Sequence, residues 1–240
     1  MANPIVSRTE LAVGGVPMTV QGTVIKTAFL LGLTALASFG MFFYALLSMM
    51  SSNTLYMMAI VSMFAGMGLG LVSAFKPNLA KALAVPYALV EGVFLGGISA
   101  IVFRMYPSVP LTALSATFIT AVIMLALYVT GVIKVTQKMR SIVTSAIIAI
   151  AVVYVLQWVL RLVFGSSIPL LFDGGMIAIG FSAFVIIVAA FSLLLDFDNI
   201  DKGVHYGVSQ EYEWVYSIGV LATLVWMYIE FLRLLSYLQE

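Results

Sequence analysis

Residues 191–201 read FSLLLDFDNID. They close an apolar run that opens near Met176 and carry three acids, Asp196, Asp198 and Asp201, at its end. A charged side chain at the bilayer centre costs ~2.5–3.5 kcal/mol on insertion scales, so it faces a bundle interior or a water-filled cavity and takes a partner there. A run of this length ending in acid is read as a membrane span with its chemistry at one end. Elsewhere only Glu91 and Glu230 set an acid well inside an apolar run. The rest of the chain reads as the helical scaffold that holds these acids.

Composition agrees. The chain is 63% hydrophobic and 9% charged, whereas soluble domains carry about 25% charge. That selects an all-α, polytopic membrane protein. A net charge of +1 provides no basic field for nucleic acid. The absence of cysteine excludes disulfides, thiolate metal sites and cysteine nucleophiles. His205 is the single histidine and cannot build a multi-histidine metal site. No phosphate-binding glycine loop, HExxH or GxSxG in a strand–helix context occurs, so neither an enzyme nor a bound cofactor is expected.

A span needs ~20 mostly apolar residues. Seven fit: roughly 24–50, 54–75, 82–103, 111–133, 141–164, 174–197 and 213–237. The breaks are short, except DFDNIDKGVHYGVSQEYE, which reads as the longest and most acidic connection. No cleavable signal is evident. Residues 1–23 read as a short flexible tail and 24–240 as a single transmembrane domain. The basic residues alternate. Arg8, Lys26, Lys76, Lys81, Lys134, Lys138, Arg140 and Lys202 fall on one side, and Arg104, Arg161 and Arg233 on the other. This bias places the N-terminus in the cytoplasm and, with an odd number of spans, the C-terminus outside. AGMGLG at 65–70 and GVFLGG at 92–97 read as small-residue packing faces.

The acids differ in depth. Asp196 ends span six among Leu193, Leu194, Leu195 and Phe197, while Asp198 and Asp201 lie further out, where solvation is the default. Glu91 sits at mid-span in YALVEGVFLGGIS and must be protonated, paired or facing water. Glu230 lies deep in the last span, with Arg233 three residues on, on the same face. The local expectation is an ion pair whose arginine reaches outward to the interface. Glu213 opens the last span as an interfacial acid or a favourable charge at a helix N-terminus. Two carboxylates sharing a buried site titrate as a pair, and such a pair can switch helix packing with pH or bind Ca²⁺.

LLLDFDNID closing span six and MYIEFLRLL in the last span resemble the closing signature of the Bax inhibitor-1 family of transmembrane Bax-inhibitor-motif proteins. YALVEGVFLGGIS and the opening MTVQGTVIKTAFLLG resemble its bacterial Bax-inhibitor-like branch. The similarity runs from about Met18 to Tyr237. It implies seven transmembrane helices with the last one central, in a bacterial inner membrane. It also implies a pH-sensitive Ca²⁺ leak, in which an acid on each of the last two helices is gated by protonation. By motif, Asp196 is the span-six acid and Glu230 the last-span acid, together a candidate Ca²⁺ site. Lys76 stands where the family has a basic partner. The last-span acid is Glu where the family pattern has Asp. Glu230 also lies ~25 Å along its span from Glu213 at 1.5 Å per residue, far from Asp196 at the cytoplasmic end of span six, which leaves as alternatives Glu91 as the relay or Asp196 paired with Lys76 alone.

The expectation is therefore a cation leak channel or transporter, Ca²⁺ or protons being the permeant species. Asp196, Glu230, Glu91 and Asp198 are its ion-binding or pH-sensing residues. The rival expectation is a non-transporting regulator or scaffold that contacts another membrane protein, such as a membrane protease, with acids that only stabilise packing.

Overall fold

In lipid every backbone polar group must be satisfied within the chain, which leaves a sequence this apolar little choice but helix. The computed structural model describes residues 16–165, 168 and 171–239. Arg8, the tail through residue 15, and positions 166, 167, 169 and 170 of the fifth connection lie outside the described residues. Seven helices follow in order: α1 Val20–Leu47, α2 Ser52–Phe75, α3 Pro77–Met105, α4 Val109–Val129, α5 Gln137–Phe164, α6 Met176–His205 and α7 Tyr212–Tyr237. Each is long and apolar enough to cross a membrane.

Local chemistry sets their ends. Thr19, Ser51 and Thr136 cap α1, α2 and α5 by accepting from the backbone N–H of Gly22, Thr54 and Met139. Lys76 ends α2 and Pro77 opens α3 directly, since a first-turn proline forfeits no hydrogen bond. Inside the spans, hydroxyls turn back onto the preceding turn: Thr27 donates to Thr23 O, Ser73 to Leu69 O and Thr117 to Ala113 O, at 2.8–2.9 Å. The helices thereby hide their polar side chains from lipid.

Two expectations change. α6 does not stop near residue 197 but runs to His205, so DFDNID is helical and the connection to α7 is only 206–211. Residues 16–19 are tied down rather than flexible. Met18 N donates to Val208 O (2.8 Å), Gln210 N donates to Val16 O (2.9 Å), and Met18 is 2% exposed. Gly203 leaves the space that the Met18 sulfur fills.

The chain forms two compact units, one of Met1–Ile101 with Asp196–Val225 and one of Val102–Leu195 with Trp226–Glu240. Both boundaries late in the chain fall inside helices, within α6 and within α7. Burial is uneven: 56%, 50% and 50% of the span windows of α3, α6 and α7 are buried, against 11–22% for the others. The last helix is thus one of three largely buried rods.

In the first unit, α1 and α3 meet backbone to backbone. A Cβ on Gly92 would stand 2.5 Å from Ala37 Cβ and 2.7 Å from Thr34 O, and one on Gly96 would strike Ser38 O and Met41 Cβ. Thr34 Oγ1 donates across this contact to Ala88 O (3.1 Å). GVFLG is therefore a close-packing face, as its spacing indicates. In AGMGLG, by contrast, Gly68 faces open space. Below the glycines, Met41, Ala45, Leu55, Ala100 and Ile101 form a small core. In the second unit Ile150, Val185 and Val188 do the same.

Gly96→Ala is expected to cost about 1–3 kcal/mol by overpacking, read as a lower midpoint of thermal unfolding in detergent. Gly68→Ala is expected to be neutral or slightly stabilising. Equal losses from both would show that α1 and α3 are not in close contact.

Candidate functional site: carboxylates within the spans

The first unit holds Glu91, Asp196, Asp198 and Glu213. Asp196 is half-buried on α6, and Thr223 of α7 donates its hydroxyl to Asp196 Oδ2 at 2.6 Å. The same hydroxyl lies 3.2 Å from Gly219 O, one turn back on its own helix. A threonine has one proton to give, so these two acceptors compete for it. Asp198 pairs with Lys202 one turn on (2.6 Å), and Lys202 is 48% exposed. This is a surface pair of small energetic worth. Asp201 and His205 are exposed.

Glu91 is buried on α3 and hydrogen-bonded to Tyr87, one turn earlier on the same helix. Its carboxyl fits only because α2 has a glycine opposite: a Cβ on Gly66 would sit 2.6 Å from Glu91 Oε1. One glycine of AGMGLG thus makes room for an acid. Gly70 of the same stretch lies against the Tyr87 ring.

Glu213, in the first turn of α7, has no exposure at all. Thr19 N donates to its Oε1 at 2.8 Å, the Thr19 hydroxyl at 3.3 Å, and Lys26 forms an ion pair with Oε2. Lys26 Nζ also sits 5.3 Å from the Trp214 ring centroid. The carboxylate occupies the space beside Gly22 where a side chain would otherwise stand. Glu213 is a helix N-terminal charge, as expected, but it is sealed rather than interfacial, because α1 brings a lysine and its N-cap Thr19 brings an N–H to meet it. Lys76 stands exposed at the C-cap of α2, and the ion pairs described, Lys26–Glu213, Lys202–Asp198 and Arg233–Glu230, do not include it.

The second unit holds Glu230, which is 2% exposed. Tyr154 donates its hydroxyl to Oε1 (2.6 Å), the Trp226 indole N–H donates to the same atom (3.2 Å), and Arg233 pairs with Oε2. Arg233 does not reach outward. Its Nε donates to Ser182 Oγ (3.0 Å) and its Nη2 to the Tyr154 hydroxyl (2.6 Å). Its guanidinium lies 5.1, 5.5 and 5.7 Å from the ring centroids of Tyr154, Phe172 and Phe181. Three aromatic faces and two hydroxyls give the cation a better environment than the interface, through cation–π attraction and charge-assisted hydrogen bonds. Asp196 and Glu230 belong to different units, each with its own partners. Arg233 supplies at Glu230 the positive charge that the motif assigned to Ca²⁺. Among the described residues no three His, Cys, Asp or Glu side chains converge to hold a metal.

A family model described as Bax inhibitor 1 like matches residues 3–240. The chain belongs to this family. No curated protein and no solved structure matches it. In this Bax inhibitor 1-like protein the sequence motifs find the acids but miss most of their partners. Thr223, Thr19, Tyr154 and Ser182 are ordinary residues in apolar surroundings. Lys26 and Glu213 are 187 positions apart, with no local pattern that joins them.

Arg233→Met strands a buried carboxylate and is expected to cost about 3–5 kcal/mol of stability. Adding Glu230→Gln should recover a large part of that loss in a double-mutant cycle read by thermal unfolding. Strictly additive losses would mean that the two side chains are not coupled.

Proposed function

We propose that this Bax inhibitor 1-like membrane protein is a non-enzymatic cation leak, with Ca²⁺ as the permeant ion and Asp196 as the proton-sensitive element. The observation that carries the reading is the hydrogen bond from Thr223 of α7 to Asp196 of α6. It couples the state of one carboxylate to the contact between the two helices that the family signature singles out.

The chemistry follows from the shared hydroxyl. As a carboxylate, Asp196 accepts a charge-assisted hydrogen bond, roughly twice as strong as a neutral one, and it draws the Thr223 proton away from Gly219 O. Once protonated, Asp196 loses that advantage. Thr223 then returns to its own helix, and the α6–α7 link loosens. Protonation also removes a negative charge that attracts a hard divalent cation. Glu91, held by a single tyrosine hydroxyl at mid-span, is the second carboxyl on this route. Glu230 plays a different part from the one its motif implies: with Arg233 it is an internally neutralised post. In the proposed setting, a bacterial inner membrane with the N-terminus in the cytoplasm, Asp196 lies toward the cytoplasmic end of α6, where it senses cytoplasmic pH.

Asp196→Asn fixes a neutral side chain, and Ca²⁺ flux in reconstituted vesicles should then no longer vary with pH. Thr223→Val should blunt the pH response, and Thr223→Ser, which keeps the hydroxyl, should preserve it. Flux and pH response unchanged in Asp196→Asn would remove Asp196 from the mechanism.

A further inference from the structure

The most basic stretch of the chain is KVTQKMR at 134–140, with Lys134, Lys138 and Arg140 within seven residues. No Asp or Glu occurs anywhere between Glu91 and Asp173. Lys134 and Lys138 are exposed and enter none of the ion pairs described above. Within the second unit, Lys138 lines a groove of about 320 Å³ together with the α5 cap Thr136, Met139, Ile142 and Val143 of α5, and Phe191 of α6. The volume falls at the small end of the ~300–1,000 Å³ typical of ligand clefts.

The groove is two-natured. Lys138 and Ile142 are one helical turn apart, so a cation stands at the rim directly over an apolar wall. The Thr136 hydroxyl accepts from Met139 N as the cap of α5, and Lys138 is the charged group of the lining. The other walls, Met139, Ile142, Val143 and Phe191, are hydrocarbon or aromatic. α5 has 28 residues, about 42 Å at 1.5 Å each, against a hydrocarbon core of ~30 Å. Its basic end therefore reaches the headgroup layer, and the walls below it descend toward the acyl chains.

We infer that this groove is a binding site for one anionic phospholipid, its phosphate held by Lys138, with Lys134 of the same basic stretch adding to the attraction, and the first part of an acyl chain laid along Ile142, Val143 and Phe191. Charge complementarity selects the occupant. A soluble anion gains nothing from the apolar walls. A zwitterionic lipid brings its own ammonium group to a rim that already carries the Lys138 cation. An anionic lipid satisfies both halves of the groove, and the site is independent of the carboxylates assigned to ion conduction.

The test uses the purified full-length chain in detergent, titrated with phosphatidylglycerol or phosphatidylcholine, with bound lipid counted by native mass spectrometry. Phosphatidylglycerol should be retained and phosphatidylcholine should not. Each lysine beside an anionic headgroup contributes roughly fivefold in affinity. Lys134→Gln with Lys138→Gln should therefore weaken retention by roughly 25-fold. Ile142→Asn, at an exposed position that spares the fold, should weaken it as well. Lys76→Gln with Lys81→Gln removes the same charge from the α2–α3 junction and the first turns of α3 and should leave retention nearly unchanged. Equal retention of the two lipids, an equal loss from the Lys76/Lys81 variant, or no effect of Ile142→Asn would each overturn the site. The first result would leave only non-selective apolar association, and the second would reduce the site to general surface attraction.

Discussion

A carboxylate placed among lipid chains must find donors or a counter-charge inside the protein, and the arrangement of this molecule follows from that constraint. Glu213 receives Lys26 and both donors of Thr19. Glu230 receives Arg233, Tyr154 and Trp226. Glu91 has Tyr87, and Asp196 has Thr223 among its partners. Fixed cations thus meet Glu213 and Glu230, and hydroxyl groups are among the partners of Asp196 and Glu91. A tethered cation makes a carboxylate a structural post, and a hydrogen bond accepted from a hydroxyl weakens when the carboxylate takes up a proton.

α7 is where these arrangements accumulate. Glu213, Thr223 and Glu230 stand ten and seven residues apart on it, about 15 Å and 10 Å along the axis. The first is clamped to α1, the second reaches α6, and the third is locked by residues of the second unit. The apolar remainder of α7 supplies packing, with Leu221 and Met227 fully buried. A helix fixed at its start and again in its second half can report a change at a middle contact without being displaced as a whole. That is the mechanical reason for proposing Thr223 and Asp196 as a proton-sensitive element.

Much of the fold was legible because hydropathy and span length are nearly sufficient for a membrane chain. All seven spans were placed within a few residues, apart from the end of α6. There the acidic DFDNID looked like a loop, although Asp198 and Lys202 were already spaced to pair across one helical turn. GVFLGG was readable as a close contact because its glycines repeat at helical spacing. AGMGLG was only partly so, since Gly66 makes room for Glu91 while Gly68 meets nothing. The acids themselves were conspicuous against an apolar background. Their partners were not, because a back-bonding threonine and a threonine aimed at an aspartate look identical in sequence. The Glu230–Arg233 pair was legible from its three-residue spacing, but the aromatic cage that turns Arg233 inward comes from helices far away in the chain. Lys76, chosen by motif position, stands exposed instead.

The central claim is that ions or protons meet these carboxylates inside the protein. The most direct measurement is the uptake of labelled Ca²⁺ into sealed vesicles carrying the wild-type chain, compared with empty vesicles over a range of pH. The account predicts uptake that depends on the protein and changes with pH. Uptake indistinguishable from empty vesicles at every pH would contradict it and leave the acids as packing devices alone.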